Sequence, residues 1–244
     1  MIVMILINYM INFSKRFLKN LLSKTQWRIN KIYKNKYYVN QKPNFEVIKA
    51  LYNSSGVIHM GAHRGVEAPI YDWFQKKTIW IEANPQIIPD LIDNVSRFPY
   101  QKIIVALLSN QDDENLEFKI SNNDSASSSI FDFGKKSLDQ NLKMISKINL
   151  KSQKFDTIVK KNFIELNNYN FWVIDLQGSE LLALNGAIDS IKKCKSILIE
   201  VSKSDYYSNG AKWDELKNFL NKHHFIQKWE PEEDHTDVLF LKEN

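Results

Sequence analysis

Val57-Ile58-His59-Met60-Gly61-Ala62-His63-Arg64-Gly65 is an apolar run that stops at a turn bounded by two glycines. It predicts a buried strand, Val57–Met60, entering a tight bend and then a helix over about Gly65 to Gln75. Gly61 can take backbone angles closed to other residues, and without a side chain it lets a ligand approach the main chain. Gly65 is expected to open the helix, whose first amides carry partial positive charge. A tight turn with no ligand is the other reading of the same five residues.

Four further segments share the pattern of an apolar run closed by a polar residue or a turn. They are Ile79-Trp80-Ile81-Glu82-Ala83-Asn84-Pro85, Ile103–Ser109, Phe171–Gly178 and Ile197–Val201. Strand two is read as Thr78–Glu82, with Pro85 in the first turn of a helix reaching about Arg97. Strand three is read as Ile103–Leu107. Strand and helix alternating at this spacing predict right-handed βαβ units and an α/β fold with a mostly parallel sheet. Leu116–Ile120 alternates like a strand, Ser121 to Ser129 reads as loop, and residues 130–153 are polar, Lys-rich and weakly periodic. The pattern resumes with Phe155–Lys161, the strand Phe171–Leu176, a helix over about Ser179 to Lys192, and the strand Ser196–Val201. A helix at about Trp213–His223 and strands at Phe225–Trp229 and Thr236–Leu241 close the chain, the last two suggesting an antiparallel pair at the sheet edge.

Open α/β sheets bind ligands outside the carboxyl ends of their strands. Glu82 ends the second strand 21 residues after Gly61. A carboxylate there can accept two hydrogen bonds from ribose hydroxyls, so the turn and the acid together point to a nucleoside-containing cofactor. A dinucleotide site would carry a further glycine where Ala62-His63 stands.

The 244 residues suffice for one domain with a sizeable core, with 43% hydrophobic and 25% charged residues. The net charge of +5 is uneven. Residues 1–45 hold nine Lys and Arg and no acid, leaving the remainder with 24 basic and 28 acidic groups, a net of −4. A broad nucleic-acid-binding face on the main domain is therefore not expected. The chain divides into a basic, partly apolar helical extension, 1–45, and a main domain, 46–244. Met1 to Phe13 is too short for a transmembrane helix and lacks a secretory cleavage pattern, and Met10 is an alternative start. Residues 1–37 fit either an N-terminal helix packed on the domain or a basic amphipathic helix on a membrane surface or a partner. With Cys194 the only cysteine, there is no internal disulfide and no Cys-based metal site, and a cytoplasmic setting is the default.

Val57 to Gly65, Ile81-Glu82-Ala83-Asn84-Pro85 and the run Ile174-Asp175-Leu176-Gln177-Gly178-Ser179-Glu180-Leu181-Leu182-Ala183-Leu184-Asn185-Gly186-Ala187 resemble the FkbM-type S-adenosylmethionine-dependent methyltransferases. Ile199-Glu200-Val201, Tyr206-Tyr207 and Asp237-Val238-Leu239-Phe240 fit the same pattern, over about residues 55–242. One departure is His59, which stands where many methyltransferases of this fold carry an acid. The resemblance implies a Rossmann-like class I methyltransferase with a seven-stranded sheet and one antiparallel strand near its edge. It implies S-adenosyl-L-methionine as cofactor, with Gly61, Ala62, His63 and Gly65 flanking its amino-acid part. Glu82, with Ala83 and Asn84 beside it, would hold the ribose, and Ala106 to Ser109 would approach the adenine.

Methyl transfer from a sulfonium is a direct displacement, which asks the protein for alignment, water exclusion and a proton acceptor. Asp175 is expected to position cofactor or acceptor and Glu180 to act as base or acceptor ligand. Stabilisation of a helix N-terminus is the other reading of Glu180. His59 is expected to be a hydrogen-bonded core residue. The acidic turn Glu232-Glu233-Asp234-His235 is read as solvated, with no metal expected. The acceptor implied by the resemblance is a sugar, glycan or secondary-metabolite hydroxyl. A NAD-dependent oxidoreductase and a non-catalytic cofactor-binding protein working through its basic arm are the competing functions.

Overall fold

The computed structural model describes residues 44–243, so the expectations for the N-terminal extension fall outside the described residues. In chain order the first half holds α1 (Phe45–Asn53), β1 (Gly56–Met60), α2 (Ala68–Trp73), β2 (Lys77–Glu82), α3 (Ile88–Val95), β3 (Gln101–Val105), β4 (Leu107–Leu108) and β5 (Asn115–Ser121). The second half holds α4 (Lys135–Asp139), β6 (Met144–Gln153), α5 (Phe155–Lys161), β7 (Phe171–Ile174), α6 (Glu180–Asn185), β8 (Ser196–Ser202), α7 (Trp213–Lys222), β9 (Phe225–Gln227) and β10 (His235–Lys242).

Seven strands form one sheet in the order β3-β2-β1-β7-β8-β10-β9. β10 runs antiparallel to both its neighbours, β8 and β9, while the other pairings are parallel. The antiparallel strand thus lies one place in from the edge. The chain leaves β1 towards β2 and β3 and later returns to β7 on the other side of β1. That reversal opens a crevice at the carboxyl ends of β1, β2 and β7.

Burial on both faces explains why the central strands read as continuous apolar runs. Ile58, Ile79, Trp172, Ile174, Ile197 and Ile199 face one core, with Phe155, Leu184 and Leu216. Val57, Trp80, Phe171 and Leu239 face the other, with Leu51, Ala68, Leu91 and Val95. His59 belongs to this second layer. It is 5% exposed, stacks on Trp80 at 5.1 Å and lies 3.1 Å from the Tyr71 hydroxyl through Nδ1. Burial lowers its pKa to about 3, so the ring stays neutral. Cys194 is buried with its sulfur 3.2 Å from the Ser196 carbonyl oxygen, and burial pushes the thiol up.

Several boundaries differ from the sequence reading. The first helix after the turn is only Ala68–Trp73 and does not begin at Gly65. Pro89, not Pro85, occupies the first turn of α3. The helix expected over Ser179 to Lys192 is α6 followed by a separate 3-10 turn, Ser190–Lys193. Within the weakly periodic stretch lies β6, ten residues long, which pairs antiparallel with β5 and parallel with β4 in a second, three-stranded sheet. Among the described residues no helix is long and apolar enough to cross a membrane.

Candidate active site

The turn after β1 is built against β2 and β7. Gly61 has φ +84°, and a Cβ there would sit 1.7 Å from the Asp175 carbonyl oxygen, so only glycine lets the two strand ends meet. The Gly61 and Ala62 amides both donate to the Ile81 carbonyl, at 2.9 and 3.0 Å. Gly65 has another task. At φ +62° its hydrogen faces Leu91 and Val95, where a Cβ would come within 2.6 Å of each side chain. It seats the turn on α3 and opens no helix, so the expected dipole contribution at Gly65 is absent.

One cleft of about 620 Å³, its open mouth included, lies beyond these strand ends. Of the residues singled out in the sequence, Gly61, His63, Glu82, Ala83 and Asn84 line it, joined by Ala106 and Asp175. Ala62 faces the core instead, at 2% exposed, and Gly65 packs on α3. Ser109 is buried outside the cleft, and Glu180 stands behind its wall.

Glu82 is fixed at both oxygens. The His63 amide donates to Oε2 at 2.7 Å and the Asn84 amide to Oε1 at 2.7 Å. Burial raises its pKa, and these amides work against that shift by favouring the charged form. Asn84 is 2% exposed, and its Oδ1 accepts from the Gln86 amide at 3.0 Å. Its Nδ2 has no partner in the protein. A buried amide left unpaired costs about 1–3 kcal/mol, so this donor marks a place for an acceptor atom from outside the chain.

The loop 121–129 roofs the cleft. Ser125, Ala126 and Ser128 line it, and Ser129 Oγ donates to the Gln177 carbonyl at 2.7 Å. Arg64 clamps the loop down by a two-pronged contact to Asp124, at 2.7 and 2.9 Å, while its Nε donates to Asp90 at 2.8 Å. Next to the roof the wall turns apolar, with Leu107 and Leu108 from β4, Phe118 from β5 and Ile130. Phe118 reaches the cleft from the second sheet and Ile130 from the segment after the loop, which is why a reading centred on the main strands missed them.

At the other end lies a polar network that the sequence reading largely missed. Gln177 Nε2 donates both to Asp175 Oδ1 and, at 2.9 Å, to Glu200 Oε2. The Tyr207 hydroxyl donates to Gln177 Oε1, which fixes the amide with its nitrogen towards the two acids. His235 Nε2 lies 2.9 Å from Glu200 Oε1, and its Nδ1 lies 2.8 Å from Ser202 Oγ. Burial holds the Asp175 carboxyl well above its usual range, reinforced by the charge of Glu200. Glu200 is raised likewise by burial and by Glu180.

Glu180 is 2% exposed, and its Oε1 accepts the amides of Leu176 and Gly178 at 2.9 and 3.1 Å. It shapes the bend that carries Gln177 and does not itself reach the cleft. The signal for the missed members was their position. Glu200 lies near the carboxyl end of β8 and His235 begins its antiparallel neighbour, so both fall at the same end of the sheet as Asp175. Among the described residues no group of three His, Cys, Asp or Glu is placed to hold a metal ion. In the turn 232–235, Asp234 pairs with Lys136 at 3.1 Å and His235 turns towards Glu200.

A model of the methyltransferase FkbM domain matches residues 59–227. Comparison with curated proteins found no match. Among solved structures the chain is similar to a TehB-like SAM-dependent methyltransferase from Corynebacterium glutamicum, with 11% identity, TM-score 0.45, and 93% of this chain and 99% of that one covered. It is also similar to Aeropyrum pernix fibrillarin with natively bound S-adenosyl-L-methionine, with 11% identity, TM-score 0.45 and coverage of 78% and 68%. A third is magnesium protoporphyrin IX methyltransferase from Synechocystis with bound SAM, at 8% identity, TM-score 0.44 and coverage of 84% and 88%.

Proposed function

Because this chain belongs to the FkbM methyltransferase family, we propose that it transfers a methyl group from S-adenosyl-L-methionine to a hydroxyl oxygen, the acceptor being a sugar, a glycan or a secondary-metabolite precursor. The observation that carries the reading is Asn84. Its unpartnered amide is buried in the cleft beside a carboxylate, Glu82, that the surrounding amides hold in place.

The residues fit the cofactor along its length. Glu82 can accept from ribose hydroxyls, since a carboxylate has about four lone-pair sites and the amides use one on each oxygen. Asn84 donates to an oxygen or nitrogen of the nucleoside. Leu107, Phe118 and Ile130 offer an apolar slot for a flat base, and Gly61, His63 and Asp175 offer polar groups for the amino-acid end. When bound, the cofactor supplies a methyl carbon on a sulfonium, open to direct displacement. The chain's own residues orient the two reactants, exclude water under the 121–129 roof, and accept the proton that the hydroxyl gives up.

A dinucleotide fits less well. Its pyrophosphate would rest on a helix N-terminus directly after the turn. Here α2 starts three residues beyond Gly65 and is only six residues long. The hydroxyl acceptor, the cytoplasmic setting and a membrane or partner contact through residues 1–37 belong to the same proposal and rest on the sequence. Calorimetry with S-adenosylmethionine, its demethylated product and NAD tests the cofactor. Micromolar binding of the first two and none of NAD is expected; binding of NAD alone would reverse the reading.

A further inference from the structure

Two acids on one amide nitrogen are an unusual arrangement. Gln177 Nε2 touches an oxygen of Asp175 and an oxygen of Glu200, and Tyr207 keeps the amide from turning over. Asp175 follows β7 on the cleft wall, and Glu200 lies within the neighbouring strand β8, with its side chain 14% exposed. Two negative charges this close in a dry setting repel strongly, and the usual resolution is a single proton shared between them. The other titratable groups facing the pair add little positive charge. They are Glu180 from α6, His235 and Asp237 from β10, and Tyr207 from the segment after β8. Asp237 lies directly across from Glu200 in the antiparallel register.

Resting on the methyltransferase reading above, we propose that Asp175 and Glu200 work as one proton-sharing pair, which holds a single proton at rest and takes the acceptor's proton during transfer, while His235 links the pair to solvent. In the step itself the acceptor O–H bond breaks as its oxygen bonds to the methyl carbon of a sulfonium donor. The methyl–sulfur electron pair stays on sulfur, and the proton goes to Asp175, the member that lines the cleft. Negative charge on the pair thus falls from one to zero as the positive charge on sulfur disappears. His235 is a positioning residue and exit. Its Nε2 meets Glu200, its Nδ1 meets Ser202, and its side chain is 25% exposed.

The pair explains why Gln177 occupies a strained position. Its φ is +55°, in the left-handed region that costs a non-glycine residue about 1 kcal/mol or more. The strain places the amide nitrogen where only one arrangement serves both acids.

Infrared spectroscopy of the full chain at neutral pH, with the isosteric variants Asp175→Asn and Glu200→Gln, tests the proposal without any acceptor. A shared proton predicts that the parent has, beside the band of Glu67, whose pKa burial raises to about 7, a single protonated-carboxyl band of the pair that either single variant loses entirely. The double variant then loses nothing more. Two independently protonated acids would instead give half the loss in each single variant and the full loss in the double, which overturns the proposal. So would survival of the pair's band in either single variant, or its absence from the parent. Thermal melts confirm that each variant is folded, and His235→Gln should slow exchange of the band in heavy water while leaving its intensity intact. Calorimetry with S-adenosylmethionine on the parent separates the two levels. No binding would remove the methyltransferase reading and the role given to the pair, whatever the infrared result.

Discussion

The backbone nitrogen of His63 lies 2.7 Å from Oε2 of Glu82, so the turn after the first strand and the end of the second are joined through one carboxylate. The other oxygen takes the Asn84 amide, which makes Glu82 both a ligand candidate and the tie that shapes the cleft. Replacing it with Gln turns an NH₂ group towards one of two N–H donors. Such charge-assisted bonds contribute about 1.5–3 kcal/mol each, so Glu82→Gln should weaken S-adenosylmethionine binding by roughly tenfold to a hundredfold. Calorimetry reads this directly, and an unchanged affinity would remove Glu82 from the site.

Gly61→Ala is expected to be among the most damaging single changes in the chain. The new methyl would overlap the Asp175 carbonyl oxygen, at 1.7 Å, in a backbone conformation that disfavours any side chain. The β1–β7 junction must then open, at a cost of about 4 kcal/mol or more. A melting temperature within a few degrees of the parent would show that the junction is far softer than described.

The clamp between Arg64 and Asp124 predicts a split effect. Asp124 is exposed, so the pair adds only about 0–1 kcal/mol to stability. Yet, together with His63 Nε2 at 3.1 Å from the Asp124 carbonyl oxygen, it fastens the roof to the cofactor turn. Arg64→Met should leave the melting temperature nearly unchanged and speed dissociation of S-adenosylmethionine several-fold in stopped-flow. Raising the salt concentration should produce part of the same change in the parent.

His59 predicts a pH effect with a definite sign. Its pKa falls from the ordinary 6.5 to about 3 on folding, so its contribution is fully present above 6.5 and is lost as pH drops towards 3. Each unit of pH in that window costs about 1.4 kcal/mol. Glu67 works the other way. Raised from 4.5 to about 7, it stabilises most below 4.5 and its share fades as pH rises through 7. Comparing parent with His59→Asn isolates the histidine. The variant should be less stable at neutral pH, having lost the stack on Trp80, but should lose less stability than the parent between pH 6.5 and 4 in urea titrations. Parallel curves would mean that the ring is not buried as described.

Much of the main sheet is readable from residue order because its strands are buried on both faces. Runs such as Ile79-Trp80-Ile81 and Phe171-Trp172-Val173-Ile174 leave little alternative, and the residues closing them, Glu82 and Asp175, fall on the cleft wall. β6 was missed because it lies on an outer sheet with one wet face. Its Ile148 and Leu150 alternate with Lys147, Asn149 and Lys151, a period of two hidden by the density of lysines. Helix boundaries failed where packing overrode composition, as at Gly65, whose fit against Leu91 and Val95 no local pattern reveals. The Gln177 network was out of reach for another reason. It joins the turn after β7 to β8 and β10, and His235 meets Glu200 only when the last strand inserts antiparallel beside β8.

The chain's sole sulfhydryl, at Cys194, sits at 1% exposure in the larger core and is held in its protonated form by its surroundings. An alkylating reagent should therefore find no target until the whole domain comes apart. Mass-spectrometric counting of modified molecules over time would then serve as a clock for global opening, with no engineered probe and no second site to confuse the signal.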